Sequence, residues 1–186
     1  MKSFKIALAQ FSPHIGNLEA NAQKMLEQAN EAKKQNADII VFSELSVCGY
    51  PPRDFLEFDD FIRLSEDCIQ RLCEFAHGIA IVVGTPTRNI DPKGKSLFNS
   101  VCFLADGKVK FTQHKTLLPT YDIFDEYRYF EPSKDWNIVE YKGKKIALTV
   151  CEDIWDVGVL DPLYTVIPLD EMMKFKPDLI INVSAS

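Results

Sequence analysis

Three side chains in this sequence are of types that together perform acyl transfer: a thiol, a carboxylate and an ammonium. Cys151 follows the apolar run Lys145 to Val150 (KIALTV) and opens the segment CEDIWD. A nucleophile at a strand-to-helix turn projects from the backbone, and the amides after it are free to face an oxyanion. A helix N-terminus also favours the thiolate, which is the reactive form. Glu44 closes the run DIIVFSE, and the carboxyl edge of strands is where α/β proteins place ligands. A carboxylate there can take a proton from a thiol and return it to a leaving amine. Lys115 follows the strand-like KFTQH, and beside the other two it can hold an oxyanion as a fixed positive charge. Taken singly, each has a plainer reading: a buried structural cysteine, a solvated strand-end glutamate, a surface lysine. What argues for chemistry is that all three sit at ends of apolar strands. The three histidines, His14, His77 and His114, have no metal-binding spacing. A Cys–His dyad would need His77 or His114, and His114 is expected on the opposite strand face from Lys115.

The elements that must position these groups follow from periodicity. Lys5 to Phe11 reads as a short buried strand, ended by Ser12-Pro13. Asn17 is placed to cap a helix whose apolar face is Leu18, Ala22, Met25, Leu26, Ala29 and Ala32, with Lys33 and Lys34 in its last turn. Asp38 to Phe42 is the next strand, completing a right-handed β-α-β unit. A second helix is expected from about Asp60 to His77, with Phe61, Leu64, Cys68, Ile69, Leu72 and Phe75 inward. Ile79 to Val83 is a strand that Gly84 and Pro86 should stop. Two hairpins follow, one around Asp106-Gly107 and one around Lys142-Gly143. Leu179 to Val183 is a last buried strand. The expected architecture is α/β layers on a mixed sheet.

Composition narrows the function. A chain of 186 residues suits a single domain, and a net charge of −6 argues against a nucleic-acid surface, which needs clustered Lys and Arg. The N-terminal apolar stretch is too short to span a bilayer and lacks a signal-cleavage pattern. Five cysteines at irregular spacing contain no CxxC pair and do not suit a disulfide framework, so a cytoplasmic protein is expected.

Three longer segments carry a resemblance: ELSVCGYPPRDFL from Glu44, KTLLPTYDIFDEYRYF from Lys115 and TVCEDIWD around Cys151, with NVSAS closing the chain. Together they resemble the carbon–nitrogen hydrolase (nitrilase) superfamily and, within it, the glutaminase domains of glutamine-dependent NAD synthetases. The likeness extends over essentially the whole chain, and CEDIW is its most discriminating part. It implies an α-β-β-α sandwich in which Cys151 attacks the side-chain amide of L-glutamine and Glu44 acts as base. Lys115 and the backbone amide of Glu152 would hold the oxyanion, through a γ-glutamyl thioester. It further implies that Glu126 orients Lys115 or the attacking water. Tyr50, Tyr121 and Phe124 would wall the pocket, and Ser186 would contact the glutamine backbone groups.

The pattern departs from the family in two ways. Residues 1–186 are expected to be a C-terminally incomplete glutaminase domain, because a basic residue expected after NVSAS is absent. The Gly-rich pyrophosphate loop of the synthetase part is absent too. No cofactor or metal is expected for this part; ATP and Mg would belong to a synthetase domain in the parent chain. A homo-oligomer without nucleic-acid or membrane partners is expected. Two other readings stay open: a stand-alone amidase of the superfamily, and a non-catalytic assembly domain.

Overall fold

The computed structural model describes residues 3–155, 157–158 and 164–185. Strand β1 (Ile6–Leu8) leads to helix α1 (Leu18–Lys34), which Asn17 caps by accepting the Ala20 N–H at 3.2 Å. Strand β2 (Ile39–Val41) is followed by a 3₁₀ turn (Arg53–Glu57), helix α2 (Asp59–Phe75) and strand β3 (Ala80–Arg88). Then come β4 (Leu97–Ala105), β5 (Lys108–His114), the short helix α3 (Glu126–Tyr129), β6 (Ile138–Tyr141) and β7 (Lys144–Val150). A 3₁₀ turn (Cys151–Ile154), helix α4 (Pro168–Met173) and β8 (Leu179–Val183) complete the described elements.

The strands form two sheets, not the single mixed sheet expected from the pattern. One has the order β1-β2-β3-β4-β5, the other β6-β7-β8. In the first, β1, β2 and β3 are parallel, while β4 is antiparallel to both β3 and β5. The sheets pack face to face through Ile39, Val41, Val82, Val101 and Phe103 on one side and Val139, Ile146, Leu148, Val150 and Ile181 on the other. The alternate residues of the first sheet, including Ile40, Phe42, Ile81 and Leu104, bury against α1 and α2. Strand β2 and the first part of β3 are apolar on both faces because both faces are covered there. On the far side of the second sheet α4 packs against β7 and buries Leu169 and Met172. The result is an α-β-β-α sandwich.

Three local expectations are corrected. β1 is only three residues long. Gly84 and Pro86 do not stop β3, which runs through both to Arg88. Beyond Val82, the last β3 residue paired with β2, β3 has a strand partner on one side only, and at Pro86 this is a setting that tolerates proline. Leu64 is exposed rather than in the core, because Ser65 occupies the middle of the buried face and satisfies its hydroxyl on the Phe61 carbonyl at 2.9 Å. The hairpins form as read, with Asp106, Gly107, Lys142 and Gly143 all at positive φ. No helix among the described residues is long and apolar enough to cross a membrane.

Candidate active site

Strand direction brings the three groups to one edge. Because β5 is antiparallel to β4 and β4 to β3, β5 runs the same way as β2 and β3. The C-terminal ends of β2 and β5 therefore lie at the same end of the first sheet. Glu44 comes three residues after β2 and Lys115 directly after β5. Cys151 directly follows β7 in the second sheet. The carboxylate and the ammonium thus come from one layer and the thiol from the other. They meet at the seam.

Local backbone geometry aims them. Cys151 is at φ 45°, in the left-handed region, where a non-glycine residue is held only by its surroundings. This is the sharp strand-to-helix turn that projects a nucleophile. Leu45, immediately after Glu44, is also left-handed at φ 46° and fully buried. Gly84 makes room for that turn. A Cβ there would lie 2.4 Å from the Leu45 nitrogen and 2.6 Å from the Glu44 Cα, so any side chain would push the Glu44 backbone away.

Lys115 is completely buried, and its charge is matched by carboxylates. Its Nζ donates to Glu44 Oε1 at 2.8 Å and to Glu126 Oε1 and Oε2 at 2.8 and 2.9 Å. Burial alone would strip the proton from such an amine, but the attraction of Glu44 and Glu126 overrides it and holds Lys115 above the ordinary lysine range. The Glu44 carboxyl is raised by burial, with Lys115 opposing and Glu126 adding to the rise. One ammonium between two carboxylates leaves the group one negative charge in excess, which makes Glu44 easier to protonate than a solvated glutamate.

Cys151 opens onto a cavity of about 240 Å³ that Glu44, Tyr50, Tyr121, Phe124, Glu126 and Glu152 also line. Its thiol is pushed up to about 11, by burial first and then by Glu44, with Lys115 and a hydrogen bond to Ser184 working the other way. At neutral pH the resting cysteine is therefore a thiol that needs a base. Tyr50 donates to Glu126 Oε1 at 2.9 Å, and burial together with Glu126 holds its hydroxyl well above the usual phenol range. Tyr121 donates to Glu152 Oε2 at 3.0 Å and is pushed up to about 12 by burial and by that bond. Tyr164 also donates to Glu152. Phe124 packs edge-on against Tyr121 with ring centres 5.5 Å apart. All the aromatic and carboxylate residues read from the sequence therefore reach this cavity, while Ser186 lies outside the described residues. His114 turns to the other face of β5, stacked on Phe98 at 4.1 Å, with Nδ1 2.7 Å from the Ser100 hydroxyl.

The sequence reading missed three residues. Ser184 is hydrogen-bonded to the Cys151 thiol. Asn99, near the start of β4, lies across from Lys115, whose backbone N–H donates to the Asn99 carbonyl at 2.8 Å. Asp153 is completely buried and takes the Thr116 and Leu117 amides on Oδ1 at 2.9 Å each and the Val150 amide on Oδ2 at 3.2 Å. It ties the chain just after Lys115 to the residue just before Cys151. Its carboxyl is pushed up to about 7 by burial, against the pull of these three backbone donors. A signal for Asp153 was its place beside the cysteine, since a carboxylate in an apolar setting needs several donors. Asp153→Ala orphans two buried amides and one part-buried amide and is expected to cost roughly 3 kcal/mol or more. Urea unfolding of the intact protein checks this, together with slower alkylation of Cys151 under native conditions.

The sequence matches the carbon–nitrogen hydrolase family over residues 5–160. It is 47% identical over 163 residues to the glutamine-dependent NAD(+) synthetase of Acinetobacter baylyi, covering 88% of this chain and 29% of the relative. It is 40% identical over 189 residues to that of Synechocystis sp., covering 98% and 34%. The chain therefore spans about a third of the length of these curated relatives. Among solved structures, the glutamine-dependent NAD+ synthetase of Acinetobacter baumannii in complex with ADP superposes with a TM-score of 0.88 at 39% identity, covering 100% of this chain and 33% of that one. An amidase from Nesterenkonia sp. shares the fold with a TM-score of 0.77 at 18% identity, covering 98% and 65%.

Proposed function

The chain belongs to the carbon–nitrogen hydrolase family, and from that premise we propose that it is a glutamine amidohydrolase that releases ammonia through a thioester on Cys151. The observation that carries this reading is the shared cavity. A thiol on a left-handed turn and a carboxylate bonded to a buried ammonium open onto the same space. The full-length relatives named for glutamine-dependent NAD synthesis supply the choice of amide.

In this reading Glu44 takes the proton from the Cys151 thiol as sulfur attacks the side-chain amide carbon of glutamine. The C–S bond forms and the carbonyl electron pair moves onto oxygen, where the Lys115 charge and the Glu152 backbone N–H stabilise it. Proton arrival on Glu44 cancels the excess negative charge of the buried group, so the transfer meets little electrostatic resistance. On collapse the C–N bond breaks, Glu44 returns the proton to nitrogen, and ammonia leaves. A water molecule, deprotonated by Glu44, then attacks the thioester and frees glutamate and the thiol. Glu126 accepts hydrogen bonds on both oxygens and serves to hold Lys115 in place. Tyr50, Tyr121 and Phe124 form the wall, and Glu152, held by two tyrosines, offers its carboxylate to the substrate's α-ammonium. Ser186 remains assigned to the glutamine backbone groups.

Residues 1–186 form, on this proposal, the amidase part of a longer protein. A synthetase domain in the same parent chain would use the ammonia to amidate nicotinic acid adenine dinucleotide, with ATP and Mg handled there.

The test uses the contrast among five cysteines. Cys48, Cys68, Cys73 and Cys102 are buried, whereas Cys151 is part-exposed in the cavity. Iodoacetamide should label Cys151 first in the native intact protein, and millimolar glutamine should slow that labelling. Equal labelling with and without glutamine, while other small amides protect, would favour a stand-alone amidase. Indifference to every amide would favour an assembly domain.

A further inference from the structure

Glu44 has two carboxylate oxygens, and the site treats them differently. Oε1 accepts from Lys115 Nζ at 2.8 Å and from Asn99 Nδ2 at 2.8 Å. Among the described residues, Oε2 accepts only a backbone N–H, that of Ala185, at 3.3 Å. Glu126, on α3, is used on both sides: Oε1 by Lys115 and Tyr50, and Oε2 by Lys115 and by Asn99 at 3.2 Å.

We propose that Asn99 is a positioning residue that, with Lys115, saturates Glu44 Oε1 and so makes Oε2 the oxygen that takes the thiol proton. The inference rests on Glu44 being the base, and adds which oxygen acts and what selects it.

Three observations support it. Asn99 is fully buried near the start of a largely apolar strand, where its polarity has no value for packing. Its Nδ2 bridges the two carboxylates, so it sets their separation as well as their occupancy. Its Oδ1 is buried without a hydrogen-bond partner among the described residues, a standing cost that natural interiors seldom keep without a reason. Turning the amide round would not relieve that cost. It would place a carbonyl oxygen 2.8 Å from Glu44 Oε1 and 3.2 Å from Glu126 Oε2, with acceptors facing acceptors. The orientation is fixed by the two carboxylates, and the orphan oxygen follows from it.

The same geometry gives a readout that mere packing would not move. A donor on a carboxylate favours its charged form, and Asn99 acts on Glu44 in that direction. The other groups acting on Glu44 are Lys115 after β5, which also favours the charged form, and Glu126 on α3, which disfavours it. Facing the same cluster are Tyr50 from the loop after β2 and Cys151 after β7. With all of these kept, removing the Asn99 donor should make Glu44 hold its proton to higher pH.

The experiment is the pH profile of glutamine hydrolysis by the intact protein, for native, Asn99→Leu and Asn99→Asp forms, with Glu44→Gln alongside. In Asn99→Leu the acid limb of kcat/KM is expected to move to higher pH, so the loss of rate is greater near pH 6 than near pH 8. Asn99→Asp, nearly isosteric, replaces the donor by an acceptor and should move the limb the same way, which preserves the test if the leucine variant does not fold. An acid limb unmoved in both variants, with Glu44→Gln inactive, overturns the role of Asn99 and leaves the base in place. Turnover retained by Glu44→Gln overturns the assignment of the base itself, and this inference with it.

Discussion

In Cys151→Ala, glutamine-supported turnover is expected to fall by roughly 10⁵-fold or more, the scale seen when a covalent nucleophile is removed. In the longer parent protein proposed above, the synthetic reaction supplied with an ammonium salt should continue at close to its native rate. The asymmetry follows from where the residue sits. Cys151 is half-buried on a short turn at the end of β7, and the alanine side chain fits the same left-handed backbone at least as easily. Val150 and Asp153, which anchor the turn through the 3.2 Å bond from amide to carboxylate, are untouched. The variant should therefore fold normally, bind glutamine and fail only at bond making. Parallel assays of glutamate release and of product formation from ammonium chloride check this. Equal loss of both activities would mean that Cys151 has a role beyond amide hydrolysis.

Lys115→Met should damage both stability and activity. The lysine is fully buried, and its ammonium pairs with both Glu44 and Glu126. Methionine fills a similar volume but leaves two carboxylates facing each other without compensation. Breaking a buried pair by removing one partner costs about 3–5 kcal/mol. For a protein of this size that is a fall in Tm of roughly 10 °C. The deficit should depend on pH. Loss of the lysine removes the cation that lowers the Glu44 pKa, which burial already holds above the ordinary value of 4.5. A carboxyl whose folded pKa is raised binds protons more readily folded than unfolded, so stability falls as pH rises through that window. The gap between variant and native protein should thus narrow as pH is lowered toward 4.5 and widen above it. Thermal melts at several pH values measure this. Glutamine hydrolysis should be lost at every pH, because the charge on the developing oxyanion is gone.

These two expectations divide the site by layer. The thiol stands on the end of one sheet and can be cut away with little structural consequence. The Lys115–Glu44–Glu126 group is built into the other sheet and holds together the turn after β2, the end of β5 and α3. Chemistry and stability are coupled on one side of the cavity and separable on the other.

Much was determined by short stretches of sequence, because the forces concerned act over a few residues. Asn17 caps α1 whatever lies around it, and Asp106-Gly107 and Lys142-Gly143 adopt positive φ because few other pairs do so cheaply. The run Leu179–Val183 forms the strand expected of a short, largely apolar stretch, but only Ile181 and Val183 are buried and Ile180 faces solvent. Glu44, Lys115 and Cys151 were legible as strand-end residues, and the motifs around them placed the chain in its family. What only the tertiary structure decided depends on neighbours far apart in the chain. That the strands divide into two sheets cannot be read from strands buried on both faces, since alternation is lost there. β3 continues through Gly84 and Pro86 because the Glu44 turn needs room beside it and because β2 has already ended. Asn99 looks like a stray polar residue until β5 sets Lys115 across from it, and Asp153 like one more acid until the amides of residues 116, 117 and 150 converge on it. A sequence specifies which groups are present, but the energy of a buried charge or amide depends on what surrounds it, and only the packed chain supplies those surroundings.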